Sequence, residues 1–431
     1  MIVRNARLRE REGLWEMHVE GGRIVSLQAQ SEQQAASSKP GERAFDAAGG
    51  EEPIDAQGAL LLPPWVDAHV HLDTALTAGQ PRYNQSGTLW EGISIWAERK
   101  QQMTEADVLA RARRALAQEI SYGTLLVRSH VDVCDPQLTA LRALLRLREE
   151  IAPLMTLQIV AFPQEGIFCY EHGDAYLEEA LRLGADVVGG IPHYEWTRED
   201  GVAQVRRIFD LAEKYDRRID LHCDETDDPN SRYTEVVAKE AYARGMGSRV
   251  TISHTTAMHS YDNAYALRLI ENLHKAGVSL VTNPLANLNL QGRADTYPKR
   301  RGLTRVKELW QAGVNMAVGH DDIRDPWNPL GVGNMLQPAF ALVYAAQMGG
   351  AQELEAVLDM ITQNSAQALG LSEAYGLVPG RPADFLLVEA SDVRDLLSQV
   401  TPALHVFRGG KLIAQRRVEV ALQVEALQND G

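Results

Sequence analysis

The sequence predicts an α/β fold: a (β/α)8 TIM-type barrel with a small β domain formed from both ends of the chain. Between about residue 60 and residue 325, eight short apolar segments alternate with helical ones, and each apolar segment ends on polar residues. The two flanking regions are instead strand-like and contain Gly-Gly pairs, which are typical of hairpin turns. The 431 residues are enough for one large domain with an accessory one.

The two flanks are predicted to meet in the small domain. IVRNARLREREGLWEMHVEGGRIVSL reads as a hairpin, and YGLVPGRPADFLLVEASDV and PALHVFRGGKLIAQRRVEVAL near the other end have the same texture. Because chain termini often lie close together, we expect residues 1–60 and 375–431 to form one β domain and residues 61–374 the barrel. The polar stretch 28–52 is interpreted as a long surface loop or mobile insertion.

The eight predicted barrel strands lie in segments of similar texture, which are ALLLPPWVDAHVH, EISYGTLLVRSHVD, LMTLQIVAFPQEG, LRLGADVVGGIPHYE, DRRIDLHCDE, ARGMGSRVTISHTT, HKAGVSLVTNP and WQAGVNMAVGHDD. Five of them have a glycine where a helix ends and a left-handed residue is needed: Gly123, Gly184, Gly247, Gly277 and Gly313. Thr104 is placed to cap the helix in MTEADVLARARRAL.

The first barrel strand ends in WVDAHVHLD, which raises the possibility of a metal site. In a strand, residues i and i+2 share a face, so Asp67, His69 and His71 are expected to point the same way. Imidazole and carboxylate groups together suit zinc and iron. Two hydrogen-bonded core histidines are the alternative.

The ends of the other strands favour the metal site. They carry Gln164, His222 followed by Glu225, His254, and Asp321 with Asp322. Catalytic groups of such barrels lie at the carboxyl ends of the strands. Three histidines and an aspartate close four positions around one divalent ion, and a water completes the open site. His130 and His193 end two further strands and are expected to be structural or to orient ligands.

Several of these motifs resemble those of the bacterial cytosine deaminases of the amidohydrolase superfamily, and the resemblance runs over nearly the whole chain. The motifs are HVHLDT, AFPQEG, LHCDE, SHTTAMHS, YPKRRG and GHDDIRDPW. The resemblance implies a single Fe²⁺ or Zn²⁺ per chain, bound by His69, His71, His222 and Asp321.

The resemblance also implies roles for the remaining residues. Glu225 would be the proton shuttle, His254 would orient the attacking hydroxide, and Asp321 would accept a proton from the water. Gln164 and Asp322 would contact the substrate, and Trp327 would lie near its ring. The family forms homohexamers.

The implied activity is metal-dependent hydrolytic deamination of a free nucleobase, cytosine to uracil plus ammonia, in pyrimidine salvage. Arg324 and Asn328 depart from the less polar, aromatic residues expected beside Trp327. A related cyclic amidine, such as isocytosine, isoguanine or an aminotriazine, therefore remains an alternative substrate.

Other classes of protein fit less well. A binuclear amidohydrolase needs a lysine in the fourth strand, which has none, and the H-x-E with P-C-x-x-C design of other zinc deaminases is absent. A non-catalytic metal-binding protein would have no use for Glu225. The net charge of −15 argues against nucleic-acid polymers and anionic membranes as partners. Three cysteines and an N-terminus without an apolar signal core predict a cytoplasmic protein.

Overall fold

The computed structural model describes residues 1–9, 11–31 and 53–417. Within these residues the chain forms sixteen strands: β1 (Ile2–Leu8), β2 (Arg11–Glu20), β3 (Arg23–Ala29), β4 (Ile54–Asp55), β5 (Leu60–Leu62), β6 (Trp65–Val70), β7 (Thr124–Asp132), β8 (Thr156–Phe162), β9 (Val187–Gly190), β10 (Arg218–Cys223), β11 (Val250–His254), β12 (Ser279–Thr282), β13 (Asn315–Val318), β14 (Phe385–Val388), β15 (His405–Arg408) and β16 (Lys411–Gln415).

The same residues form thirteen α-helices: α1 (Leu89–Lys100), α2 (Glu105–Tyr122), α3 (Thr139–Ile151), α4 (Gly173–Leu183), α5 (Arg198–Tyr215), α6 (Tyr233–Ala243), α7 (Asn263–Ala276), α8 (Pro284–Leu290), α9 (Val306–Gln311), α10 (Leu336–Ala345), α11 (Ala351–Met360), α12 (Gln363–Leu369) and α13 (Val393–Gln399). Short 3₁₀ helices lie at Pro192–Tyr194, Gly247–Arg249, Thr256–Ser260 and Ser372–Ala374. Among the helices described here, none combines the length and the apolar character that crossing a membrane requires.

Strands β6 to β13 form the predicted barrel. They lie side by side in sequence order, and each neighbouring pair is parallel. The barrel closes where the segment after β13 meets β6: the amide of Asp321 donates to the carbonyl of His69 at 2.8 Å, and the amide of His71 donates to the carbonyl of Asp321 at 2.9 Å. These two hydrogen bonds hold Asp321, from the last strand end, beside His69 and His71 of the first strand end.

The second sheet interleaves strands from both ends of the chain, as predicted. Its order is β16-β15-β14-β5-β1-β2-β3, with β4 beside β1. The hairpin turns lie at Gly21-Gly22 and Gly409-Gly410, and all four glycines have positive φ, as a tight hairpin turn requires. Apolar side chains of its inner face, among them Val3, Met17, Phe385 and Phe407, form a core of their own.

The predicted division into residues 1–60 with 375–431 and residues 61–374 stays a prediction. Strand β5, which spans the limit at residue 60, pairs with β14 of the second sheet. Of the predicted surface loop at 28–52, β3 includes the first two residues. Residues 32–52 lie outside the described part of the chain, as does the strand-like stretch after residue 417.

The predicted helix ends are confirmed with one exception. The hydroxyl of Thr104 accepts from the amide of Asp107, and Gly123, Gly184, Gly277 and Gly313 all have left-handed backbone. The prediction for Gly247 is wrong, because Gly245 takes the left-handed position (φ +65°) after α6. Gly247 begins a 3₁₀ helix instead, where an added Cβ would lie 1.7 Å from the carbonyl oxygen of Ala276.

Candidate metal centre and active site

The carboxyl ends of the barrel strands carry strained backbone. Asp224, His254, Thr255 and Asp321 have φ between +48° and +70°, a region that residues other than glycine rarely adopt. Each such conformation costs about 1–3 kcal/mol and persists only where the surroundings impose it. The concentration of strain at this end of the barrel points to it as the functional face.

The four residues predicted as metal ligands converge there. The Nε2 atoms of His69 and His71 lie 3.3 and 3.5 Å from Oδ1 of Asp321, and the Nε2 atoms of His71 and His222 are 3.1 Å apart. All four side chains are buried, and no described residue bonds to the His69 Nε2. The four side chains are therefore close enough to share one ion, and their role as metal ligands stays a prediction.

The chemistry of this donor set fits a divalent metal ion. Burial, and then the neighbouring imidazoles, lower the pKa values of His69, His71 and His222 well below the usual range, so the rings are neutral. Neutral imidazole nitrogens that lie 3.1–3.5 Å from one another or from a carboxylate can together bind a divalent cation.

Asp67 does not join this set, contrary to the expectation from strand alternation. Its Oδ1 accepts from the backbone amides of His69 and His320, and the pairing of β6 with β7 is irregular between Asp67 and Val70. The carboxylate beside the imidazoles is that of Asp321. Both ring nitrogens of His320 are used in backbone hydrogen bonds, to the carbonyl of Asp322 and the amide of Gly333.

Glu225 and His254 lie together beside the donor set. Oε1 of Glu225 is 3.2 Å from Nδ1 of His254, which in turn is 3.9 Å from Oδ2 of Asp321. Burial raises the pKa of Glu225 to about 8, so the carboxyl group holds a proton at neutral pH. A buried carboxyl group of this kind can give and retake a proton.

Two asparagines that sequence reasoning missed bind His254. The amide nitrogen of Asn287 lies 3.0 Å from the His254 Nδ1, and that of Asn283 lies 3.2 Å from its Nε2. Asn283 directly follows β12, and Asn287 lies in the first turn of α8, which Pro284 begins. Because β12 is the seventh strand of the barrel, the rule that strand ends face the site also points to Asn283.

The predicted site residues surround one small cavity. Its walls are His71, Leu89, Gln164, His222, Glu225, His254, Leu290, Asp321, Asp322 and Trp327. Of the predicted site residues, only His69 lies outside the cavity wall, behind the other ligands.

Arg324 and Asn328, which depart from the residues expected beside Trp327, do not line the cavity. A guanidinium nitrogen of Arg324 donates to Gln118 on α2, and the side chain of Asn328 accepts from the amide of Leu330. The indole of Trp327 does line the cavity, and its Nε1 donates to the carbonyl of Leu89 at 3.2 Å.

A TIM-type barrel with metal-ligand side chains gathered at the carboxyl ends of its strands is the arrangement of a class of metal-dependent hydrolases. The chain belongs to the amidohydrolase family, whose model matches residues 52–414.

Several relatives share most of the chain. The solved 5-methylcytosine deaminase of Klebsiella pneumoniae, liganded with 5-fluorocytosine, is 46% identical, with a TM-score of 0.92 over 99% of this chain and all of that one. The N-isopropylammelide isopropyl amidohydrolase of a Pseudomonas species is 27% identical over 98% of each chain. The pterin deaminase of Rhizobium rhizogenes is 29% identical over 83% of this chain and 82% of its own length. These similarities confirm the resemblance to cytosine deaminases within the amidohydrolase superfamily.

Proposed function

We propose that the protein hydrolyses the exocyclic amino group of a free cytosine-type base and releases ammonia. The observation that carries this proposal is that residues of the metal donor set, Glu225 and Gln164 line the same small cavity. Family membership and the related deaminases bear out the prediction of a hydrolase that acts on C–N bonds of cyclic amidines.

The proposed chemistry assigns one task to each residue around the cavity. A divalent ion bound by the donor set would lower the pKa of a coordinated water towards ~7. Asp321 takes the proton of the attacking water. His254, which is held by its contact with Glu225, orients that water. Glu225 protonates a ring nitrogen, which makes the ring carbon electrophilic. The resulting carboxylate takes the proton of the added hydroxyl group and passes it to the amino group, so that the C–N bond breaks, ammonia leaves and the C=O bond forms. Asp321 then returns the proton of the attacking water to Glu225.

Recognition of the base is assigned to Gln164, Asp322 and Trp327. The amide of Gln164 offers one donor and one acceptor, which match the N–H and C=O edge of a pyrimidinone. Burial, and then the charge of Asp321, raise the pKa of Asp322 well above the usual range, so it can donate as well as accept. The indole of Trp327 forms a flat wall for the ring.

We propose cytosine and 5-methylcytosine as the bases. The support is the 46% identity to the 5-methylcytosine deaminase, which aligns with 99% of this chain. A second candidate is N-isopropylammelide, an aminotriazine, since the relative that acts on it aligns with 98% of the chain.

The identity of the ion and the assembly are part of the proposal. Imidazole and carboxylate ligands accept both Fe²⁺ and Zn²⁺, and metal analysis of the purified protein distinguishes them. The homohexamer implied by the family resemblance stays a prediction that light scattering can test.

Replacing Glu225 with Gln tests the central assignment. Because the amide keeps the shape but cannot transfer a proton, we expect turnover to fall by about 10²–10⁴-fold while the metal content is unchanged. Glu179→Gln on the exposed face of α4 is the matched control and should retain wild-type turnover. A Glu225→Gln protein that loses its metal, or that keeps its activity, would show that Glu225 has another role.

A further inference from the structure

A chain of buried hydrogen bonds runs behind His69, away from the cavity. Nδ1 of His69 lies 2.9 Å from Oγ of Ser253, and that hydroxyl donates to Oδ1 of Asp220 at 2.8 Å. Oδ2 of Asp220 accepts from Nη1 of Arg128 at 2.8 Å. All four side chains are fully buried, and they come from four different strands of the barrel.

The direction of these bonds assigns the proton on His69. A serine hydroxyl has one proton, and Ser253 gives it to Asp220. The oxygen of Ser253 can then only accept from His69, so Nδ1 of His69 carries the ring proton. A neutral imidazole has a single N–H, which leaves the Nε2 lone pair free on the side of Asp321, 3.3 Å away.

Arg128 fixes the orientation of Asp220. Its guanidinium donates to Asp220, to the hydroxyl of Thr251 and to the amide oxygen of Gln158. With one oxygen on Arg128 and the other on Ser253, the carboxylate cannot turn without breaking a buried hydrogen bond.

We infer that Ser253, Asp220 and Arg128 are positioning residues that hold His69 in the metal-binding tautomer and thereby set the metal affinity. The inference rests on the metal centre of the proposed function. His69, His130 and Asp220 also form a group of ligand-type atoms, with the His130 ring stacked 3.8 Å from that of His69. The positive charge of Arg128 beside Asp220 argues against a second cation there, so we assign the group to orientation.

The test is the zinc affinity of Ser253→Ala, measured by competition with a chelating dye. Partners of metal-bound histidines typically contribute 10–100-fold to affinity, so we expect a loss of about that size. The matched control is Thr251→Val, which removes a fully buried hydroxyl from the same strand, β11. The hydroxyl of Thr251 bonds to Arg128 and Ala368 but to neither His69 nor Asp220, and Arg128 keeps its bonds to Asp220 and Gln158 without it. The zinc affinity of Thr251→Val should therefore fall much less than that of Ser253→Ala.

Two further measurements separate positioning from general damage. The metal-free Ser253→Ala protein should unfold at nearly the urea concentration of metal-free Thr251→Val. Ser253→Cys should recover part of the affinity, because a thiol is a weaker acceptor and donor than a hydroxyl. If Ser253→Ala does not fold, Ser253→Cys carries the comparison and should still bind zinc more weakly than Thr251→Val.

Wild-type zinc affinity in the Ser253 variants would overturn the inference, as would an equal loss in Thr251→Val. A wild-type protein that binds no zinc or iron would overturn both the inference and the proposed metal centre. Weaker zinc binding by Ser253→Ala in a protein that deaminates no base would support the inference and refute the proposed function.

Discussion

Substituting Gly92 with Ala should disable the cavity through Trp327. Gly92 lies on α1 and faces the indole directly: an added Cβ would lie 2.2 Å from Nε1, 2.5 Å from Cδ1 and 2.7 Å from Cε2 of Trp327. Ordinary contact begins at 3.4 Å, so the indole or the helix must move by 1.2 Å. A misplacement of about 1 Å at a reacting site can cost about 100-fold in rate, and we expect a loss of that order in kcat/KM.

The same substitution should change stability much less. Alanine is favoured over glycine within a helix by about 1 kcal/mol. Overpacking costs about 1–3 kcal/mol, and losing the hydrogen bond from Trp327 to Leu89 costs about 1 kcal/mol. The net destabilisation of about 1–3 kcal/mol leaves the protein folded and its metal ligands untouched.

The assay is ammonia release from cytosine and 5-methylcytosine, with metal content and urea unfolding measured on the same preparations. Gly349→Ala is the control, because no heavy atom lies within 4 Å of a Cβ added there. Wild-type kcat/KM for Gly92→Ala on both bases would refute the placement of Trp327 as a wall of the substrate cavity. A loss of metal would instead place the damage at the ligands.

Two further predictions concern a buried ion pair and a buried histidine. Nζ of Lys100 contacts the carboxylates of Asp132 and Glu165, and Asp132 accepts from the backbone amide of Gln164 at 3.4 Å. Lys100→Met should therefore raise KM and lower the unfolding free energy by about 3–5 kcal/mol. An unchanged KM and an unchanged urea midpoint would contradict this prediction. Burial lowers the pKa of His405 to about 4, whereas an unfolded histidine titrates near ~6.5. The unfolded chain therefore takes up the proton first, and the unfolding free energy should fall by up to about 3 kcal/mol as the pH drops through this window. The unfolding free energy, measured with urea at about pH 7 and about pH 5, should change less with pH in His405→Gln than in the wild type. An equal change in the two proteins would rule this out.

The barrel and the convergence of the four predicted ligand residues were predictable because each depends on a local pattern. His69, His71, His222 and Asp321 all stand at the ends of apolar segments, where the barrel brings strand ends together. The rule that every strand end faces one site needs no knowledge of how the strands are staggered.

The residues that were missed depend on that stagger and on local irregularities. Ser253 and Asp220 lie within strands, and only the register of β10 against β11 brings them behind His69. Asp67 leaves the ligand face because the pairing of β6 with β7 is irregular, which strict alternation does not foresee. Arg324 has left-handed backbone (φ +49°) and points to α2 and not to the cavity.

Ammonia release by protein loaded in turn with Fe²⁺ and Zn²⁺ tests the proposed activity most directly. The substrates are cytosine, 5-methylcytosine, isocytosine and N-isopropylammelide, the last assayed for isopropylamine as well. We expect one metal ion per chain and ammonia release from cytosine or 5-methylcytosine, with turnover lower by about 10²–10⁴-fold in Glu225→Gln. Full metal loading with no ammonia from any of these bases would contradict the proposed activity.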